Sequence, residues 1–518
     1  MATVQMGLFD RLRERLAEGS LALALPLLQR GLLSDRWRGL VIEQLEKAIV
    51  SNVGGDSELS LPARVWQDKK DMGLAMLWSA NRALERKQIS PKVLGRLLKT
   101  FLVNSIMQED QGARTAAKRF AESHEGQYPP ALIVLSPTKT CNLHCPGCYA
   151  SAQAGGGQLE WSVFDRIITE AKSLWGIRFF VISGGEPLMY RSDGHDLLDA
   201  VAKHSDCCFL VYTNGTLLDE QVAQRMAEAG NLLIAVSVEG FEARTDERRG
   251  SGVFQKVLAA MSNLRKVGVP YGISVTATRR NAEEVLSDEF LDFFFEEHAA
   301  VFGWLFQYMP VGRSYALDLV VTPQQRLWMW RRTWQIIRER RIMLADFWNC
   351  GTVSAGCIAA GQSDAGAGYL YIDWNGKVMP CVFVQYSAAN IHDVYSRGGT
   401  LADVYDLPYF RAIRQWQRDY ALGHKQPEKC GNLLLPCSLR DHYCTGRELI
   451  EKYHPEPADE AAVAAIEDAQ YAQGMAAYDE ALHVLFDPIW SDEYLRNCPA
   501  PERADADVDT SPAASPVP

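Results

Sequence analysis

The sequence lacks any uninterrupted apolar stretch of the roughly 18 to 20 residues that a membrane-spanning helix requires, so a spanning protein is not expected. It also lacks a secretory signal of the usual kind: Leu21 to Leu33 is apolar but short, and Pro26, Gln29 and Arg30 interrupt it. An excess of basic residues is missing as well. Lys and Arg number 53 against 64 Asp and Glu, a formal net charge of −11, which argues against a general nucleic-acid binder. Nor is there an internal repeat that would mark a solenoid or propeller. The chain reads instead as globular: 518 residues, 47% hydrophobic, enough for a large core and about three or four domains. Its 12 cysteines stand in a long chain rather than a small secreted one, so a reducing cytoplasm, where thiols stay free for metal, is the expected setting.

Three of those cysteines organise the rest. Cys141-Asn142-Leu143-His144-Cys145-Pro146-Gly147-Cys148-Tyr149 places thiols at C-x3-C-x2-C on one short loop. Thiolates favour zinc or iron–sulfur clusters over hard cations, and a site short of its fourth protein ligand is a reaction site rather than a structural staple. The loop is read as holding a [4Fe–4S] cluster with one iron left open; zinc completed by His144 or a remote cysteine is the alternative. This stretch resembles the signature of the radical S-adenosylmethionine (SAM) superfamily, including the aromatic Tyr149 after the last cysteine. The resemblance implies that Cys141, Cys145 and Cys148 hold three irons, and that the amine and carboxylate of SAM's methionine chelate the fourth.

Residues 1 to 128 read as a helical domain, with apolar positions three and four apart through Leu8, Phe9, Leu12 and Leu16 and again through Leu94, Leu97, Leu98, Phe101 and Leu102. The opening Gly7 to Leu16 is amphipathic with arginines on its polar side. It is expected to dock on the catalytic domain, with peripheral contact on the inner face of a membrane as the alternative. From 129 to 335, apolar runs at 131–136, 179–183, 208–212, 232–238, 271–276 and 302–309 alternate with helical stretches. Examples of the latter are Trp161 to Leu174, Leu217 to Glu228, Val253 to Val267 and Glu283 to Glu297. Six such units do not complete an eight-stranded barrel. With the resemblance, they predict an α/β fold built on the open (β/α)6 partial barrel of radical SAM enzymes.

Chemistry in such barrels sits in the loops that follow the strands. The cysteine loop follows the first, Gly184-Gly185-Glu186-Pro187 the second, Thr213-Asn214-Gly215 the third and Ser237-Val238-Glu239-Gly240 the fourth. Thr276 to Asn281 follows the fifth and Met309-Pro310-Val311-Gly312 the sixth, so all six face one mouth. The resemblance implies that the bared backbone of Gly184, Gly185 and Pro187, with Glu186, takes the methionine amino group of SAM, an ammonium that needs acceptors. It further implies that Thr213, Asn214, Ser237 and Glu239 serve SAM's ribose and carboxylate region and that Arg249 pairs with the methionine carboxylate. Asn281 and the backbone of Met309 are then placed near the adenine. No catalytic side chain is assigned beyond the cluster and SAM, which carry the radical step themselves.

Residues 336 to 450 hold a second cysteine group. Cys350-x6-Cys357 precedes Tyr369 to Cys381, where two β-like runs flank Asn375-Gly376 as a hairpin, and Cys430, Cys437 and Cys444 follow. This resembles the SPASM or shortened twitch extension of radical SAM enzymes, and Gly376-x3-Pro380-Cys381 matches its hairpin motif. The usual C-x2-C-x5-C-x3-C run is missing, with Cys430-x6-Cys437-x6-Cys444 in its place. The resemblance therefore implies one auxiliary [4Fe–4S] cluster rather than two, with Cys357, Cys381 and Cys437 as core ligands and Cys350 or Cys444 as the fourth. Zinc or plain buried thiols are the alternatives. Residues 451–498 read as an acidic helical segment, and 499–518, rich in Ala, Pro and Asp, as a disordered tail.

These features predict a radical SAM enzyme that reductively cleaves SAM to a 5′-deoxyadenosyl radical and removes hydrogen from an unactivated carbon. A one-electron donor such as ferredoxin or flavodoxin feeds it, and the auxiliary cluster assists. Leu327 to Ile337, aromatic beside arginines, and Phe293-Phe294-Phe295 point to a hydrophobic substrate, although Trp330, Trp334 and Ile337 also form the stripe of an ordinary core helix. Because the front of the chain does not read as a strand-containing peptide-recognition domain, a lipid-like substrate and carbon–carbon bond formation are expected. A peptide-modifying enzyme and a non-catalytic electron-transfer or scaffold protein are the alternatives.

Overall fold

The six apolar runs form six neighbouring parallel strands in the computed structural model, which describes residues 21–53, 59–107, 110–362 and 368–496. The amphipathic opening at 7–16, Cys498 and the tail at 499–518 lie outside the described residues. The strands are β1 (Leu132–Leu135), β2 (Phe179–Ile182), β3 (Cys208–Thr213), β4 (Leu232–Val238), β5 (Tyr271–Ala277) and β6 (Phe302–Gln307). Each pairs in parallel with the next. A parallel sheet needs a crossover between neighbours, and its strands are near-continuous apolar runs because helices cover the outer face.

Those crossovers follow the sequence pattern closely where a cap and a stop are present. Val253–Val267 is helical over the expected residues, and Trp161–Trp175 ends at Gly176, whose φ of +73° suits a residue without a Cβ. The segment expected as one helix from Glu283 to Glu297 is instead broken. A turn at Glu284–Leu286 gives way to a new helix at Asp288, because extended Ser287 caps it by accepting from the Phe290 amide at 3.1 Å.

The sheet continues past six strands on both edges. β7 (Met343–Asp346) adds in parallel to β6, and β8 (Tyr369–Ile372) adds in parallel to β1. From β8 the chain turns at Asn375-Gly376 into antiparallel β9 (Lys377–Met379), and β10 (Ala389–Asn390) completes a ten-stranded sheet. The cysteine hairpin is thus hydrogen-bonded to the first barrel strand rather than tethered to it.

Described residues between 21 and 123 form helices, as the periodicity predicts. The helix Ala63–Glu85 lies against the region after the barrel: Asp68 and Asp71 pair with Arg338, and Lys69 Nζ donates to the Val353 carbonyl at 2.6 Å. Trp330, Trp334 and Ile337 are buried in one apolar cluster with Val65, Met72 and Phe486, so the aromatic stripe is a core helix. No helix among the described residues is long and apolar enough to cross a membrane.

A buried polar network ties the last barrel strands to the late cysteines. Arg326 is fully buried and donates to Asp441 and to the Leu434 carbonyl. Arg440 donates to Gln307 at the end of β6, and Gln307 donates to Asp346 at the end of β7. Burial opposes the charge of Asp441, but the guanidiniums of Arg326 and Arg440 outweigh it and hold the carboxyl well below its ordinary range. Removing one charge would leave the others buried and unpaired. Asp441→Asn is expected to lower the unfolding free energy by about 3–5 kcal/mol, measured by urea denaturation.

Candidate active site

The cysteine loop has no helix or strand to satisfy its backbone, and other parts of the mouth do this for it. Arg313, just past β6, donates from Nη1 to the Cys145 carbonyl at 2.7 Å and from Nη2 to the Ala152 carbonyl, while its own amide donates to the Cys148 carbonyl at 3.0 Å. Gly312 allows this approach: a Cβ there would lie 2.5 Å from the Cys148 oxygen, and φ is +74°. Arg313 was not singled out in the sequence, where nothing marks one arginine 168 residues away from Cys145 as its partner.

Tyr149 fastens the other side. Its hydroxyl shares a hydrogen bond with Ser183 Oγ at 2.5 Å and accepts from the Gly184 amide at 3.0 Å. The Gly185 and Glu186 amides donate to the carbonyls of Thr138 and Thr140 on the way into the loop. A Cβ on Gly184 would come within 2.7 Å of the Thr138 oxygen, so the chain leading to the cysteines presses on this glycine. Burial pushes the Cys141 thiol up to about 11, and iron would supply the positive charge that lets it ligate as thiolate. The donor set of three partly buried cysteines on an anchored loop fits a [4Fe–4S] cluster.

The loops after the other strands converge beside it. Glu186 is fully buried and accepts from Thr213 Oγ1 at 2.7 Å, the Asn214 amide at 2.8 Å and the Leu188 amide at 3.1 Å. Asn214 in turn donates to Asn142 in the cysteine loop at 2.9 Å. Pro187 begins the turn that carries Glu186. Glu239 is buried and receives Arg248 Nη1 at 2.5 Å and Arg249 Nε at 2.9 Å, and the Arg249 charge also faces Cys145 and Cys148. Asn281 spans two strand ends, donating to the carbonyls of Glu239 at 2.8 Å and Thr276 at 3.1 Å. Ser237 is half-buried in β4, and Met309 is buried with its carbonyl accepting from the Val311 amide.

The second cysteine group separates into two sets. Cys357, Cys381 and Cys437 lie in the barrel's apolar core, and their charges act on one another. Each sulfur also faces N–H or O–H donors. Cys357 faces the Ala359 and Ser438 amides and the Gln417 side chain, Cys381 accepts from Tyr369 Oη and the Phe383 amide, and Cys437 accepts from the Arg440 amide at 3.4 Å. Donors aimed at sulfur are what an iron-bound thiolate uses. Burial pushes Cys357 up to about 11 and Cys381 to about 12. Cys350 sits in a different apolar cluster with Cys430, and Cys444 is exposed on the helix Tyr443–Tyr453, so neither expected fourth ligand is grouped with the three. Among the described residues, no three His, Cys, Asp or Glu side chains converge on a point that one metal ion could occupy.

The sequence profile of the Radical SAM superfamily matches residues 135–288. Mycofactocin maturase MftC of Mycobacterium tuberculosis is 30% identical over 295 residues, covering 55% of this chain and 71% of that protein. The AdoMet-dependent heme synthase of Methanosarcina barkeri is 28% identical over 297 residues, 51% of this chain and 80% of its own length. Among solved structures, Streptococcus suis SuiB bound to precursor peptide SuiA shares the fold with a TM-score of 0.50 at 16% identity, covering 85% of this chain and 92% of that one.

Arg313→Met deletes the donors that hold the cysteine-loop carbonyls. It is expected to weaken iron retention at the first site by about 10–100-fold, with Arg313→Lys intermediate, read by iron analysis and electron paramagnetic resonance (EPR) after desalting.

Proposed function

The chain belongs to the radical SAM superfamily, and we propose that it is a peptide-modifying member, taking hydrogen from an apolar side chain of its substrate. It is an enzyme whose cofactors are a [4Fe–4S] cluster and SAM, and it requires a one-electron donor. When bound, these cofactors supply reductive cleavage of the SAM sulfonium to a 5′-deoxyadenosyl radical, which removes hydrogen from carbon. The protein's share is to hold SAM, orient the carbon and keep out groups that would quench a radical.

The observation that supports an apolar reacting group is an aromatic wall running between the two cysteine groups. Phe383, two residues beyond Cys381, packs against Tyr149 of the first cysteine loop with ring centroids 6.0 Å apart. It also meets Phe306, Phe347 and Trp348 at 6.2, 5.9 and 5.0 Å, and Phe306 meets Tyr212 at 5.6 Å. Tyr212 and Phe306 are half-buried while their strand neighbours are buried, which places them toward the open side of the barrel. A small cavity lined by Val311, Gly312, Phe383, Leu439 and Tyr471 adjoins this wall. Apolar walls with few charges suit hydrogen abstraction from an unactivated carbon and exclude water.

A lipid chain would also fit such a wall. The choice of peptide rests on similarity to the maturase, aligned over 71% of its length, and to SuiB, whose solved structure holds a precursor peptide. The glycine-motif backbone, Glu186 and Arg249 are assigned to SAM's methionine end, Thr213, Asn214, Ser237 and Glu239 to its ribose side, and Asn281 and Met309 to the adenine side. In this reading, Glu186 and Glu239 also brace the loops that they already bond. Cys357, Cys381 and Cys437 are assigned to one auxiliary cluster.

Anaerobically reconstituted protein with dithionite is expected to convert SAM to 5′-deoxyadenosine, and Cys145→Ala to abolish this. Retained cleavage in that variant would defeat the assignment. Deuterated peptide pools from the producing cell are expected to pass deuterium to 5′-deoxyadenosine, detected by mass spectrometry. Label arriving only from deuterated lipids would overturn the peptide substrate.

A further inference from the structure

Tyr369 stands where β8 begins, opposite Leu132 of β1, and is almost wholly buried. A buried hydroxyl must find an acceptor, and here it is sulfur: Tyr369 Oη donates to Cys381 Sγ at 2.8 Å. The same oxygen accepts from the Val382 amide at 3.4 Å. A neutral thiol is a poor acceptor and a thiolate a good one, so the phenol is well satisfied only when Cys381 is deprotonated, as it is on iron. Two residues along the strand, Tyr371 projects to the same face and donates to Ser136 at the root of the first cysteine loop at 3.0 Å.

We propose that the Tyr369 hydroxyl is a tuning residue of the auxiliary iron–sulfur site, stabilising its reduced state through a hydrogen bond to the Cys381 thiolate. This rests on the reading that Cys357, Cys381 and Cys437 hold a cluster. Reduction adds negative charge that spreads onto the cysteine sulfurs, and a donor aimed at one of them favours the more negative state and raises the reduction potential. The remaining donors to these three sulfurs are backbone amides and Gln417, which no single hydroxyl deletion removes.

The test uses full-length protein in which Cys141, Cys145 and Cys148 are all changed to Ala, so that only auxiliary iron is observed. Reduction is followed by EPR during a redox titration, with iron content measured in parallel. Adding Tyr369→Phe is expected to leave the iron content unchanged. At the potential that half-reduces the parent, it lowers the ratio of reduced to oxidised cluster about fivefold. Difluorotyrosine at position 369, a stronger donor of the same shape, is expected to move the midpoint the opposite way. A merely structural tyrosine would not produce opposed shifts. Unchanged midpoints, shifts in the same direction, or iron loss in Tyr369→Phe to the level of Cys381→Ala would each overturn the proposal. A parent protein without auxiliary iron would overturn the cluster assignment together with it, an outcome that iron analysis alone distinguishes from an unmoved potential.

Discussion

A loop that offers three thiols to one cluster can satisfy few of its own carbonyls, and the arrangement of this molecule follows from that constraint. The carbonyls of Cys145, Cys148 and Ala152 receive donors from Arg313 at the far end of the barrel, and the Ser151 amide is a second donor to Cys148. Tyr149 binds the loop to the glycine motif, and Asn142 to the third strand's loop. An undercoordinated iron needs such a frame, because each protein ligand that shifts also changes the position left open for SAM. The barrel brings first, second, third and sixth loops to one place, and no contiguous stretch of chain could do so.

Much of this was legible in the sequence. The C-x3-C-x2-C spacing, the six apolar runs and the punctuation after each carry local information, and local chemistry is what a sequence displays. Val253–Val267 appears over the residues expected. The interruption at Ser287 was missed because the apolar spacing continues across it while its capping bond depends on one extended backbone angle. β7 was missed for another reason, and β8, read as the first run of the hairpin, was not expected to join the barrel sheet. A four-residue run has little periodicity, and what it pairs with depends on the exposed edges of β6 and β1 that receive it.

Partnerships between distant residues were the least visible. Arg313 looks like one surface arginine among many until the sixth strand is closed against the first. Glu186 and Glu239 were expected to face SAM, and the structure adds that both organise loops through several bonds of their own. The late cysteines follow the same rule. Cys350 or Cys444 was expected as a fourth ligand beside Cys357, Cys381 and Cys437, whereas folding buries Cys350 in a separate apolar cluster and leaves Cys444 on the surface. Which thiols meet depends on the Arg326, Asp441 and Arg440 network and on the pairing of the hairpin with β1, both of which use contacts more than a hundred residues apart.

The pairing of β8 with β1 sets a scale. The first cysteine loop leaves the C-terminal end of β1, whereas the hairpin returns antiparallel and releases Cys381 near the level where β1 begins. β1 itself is four residues long, roughly 13 Å of extended backbone, and the root of the first cysteine loop and Cys381 lie toward its opposite ends. A hydrogen-bonded sheet makes that span a ruler rather than a hinge, so the level of Cys381 is fixed against the root of the first cysteine loop.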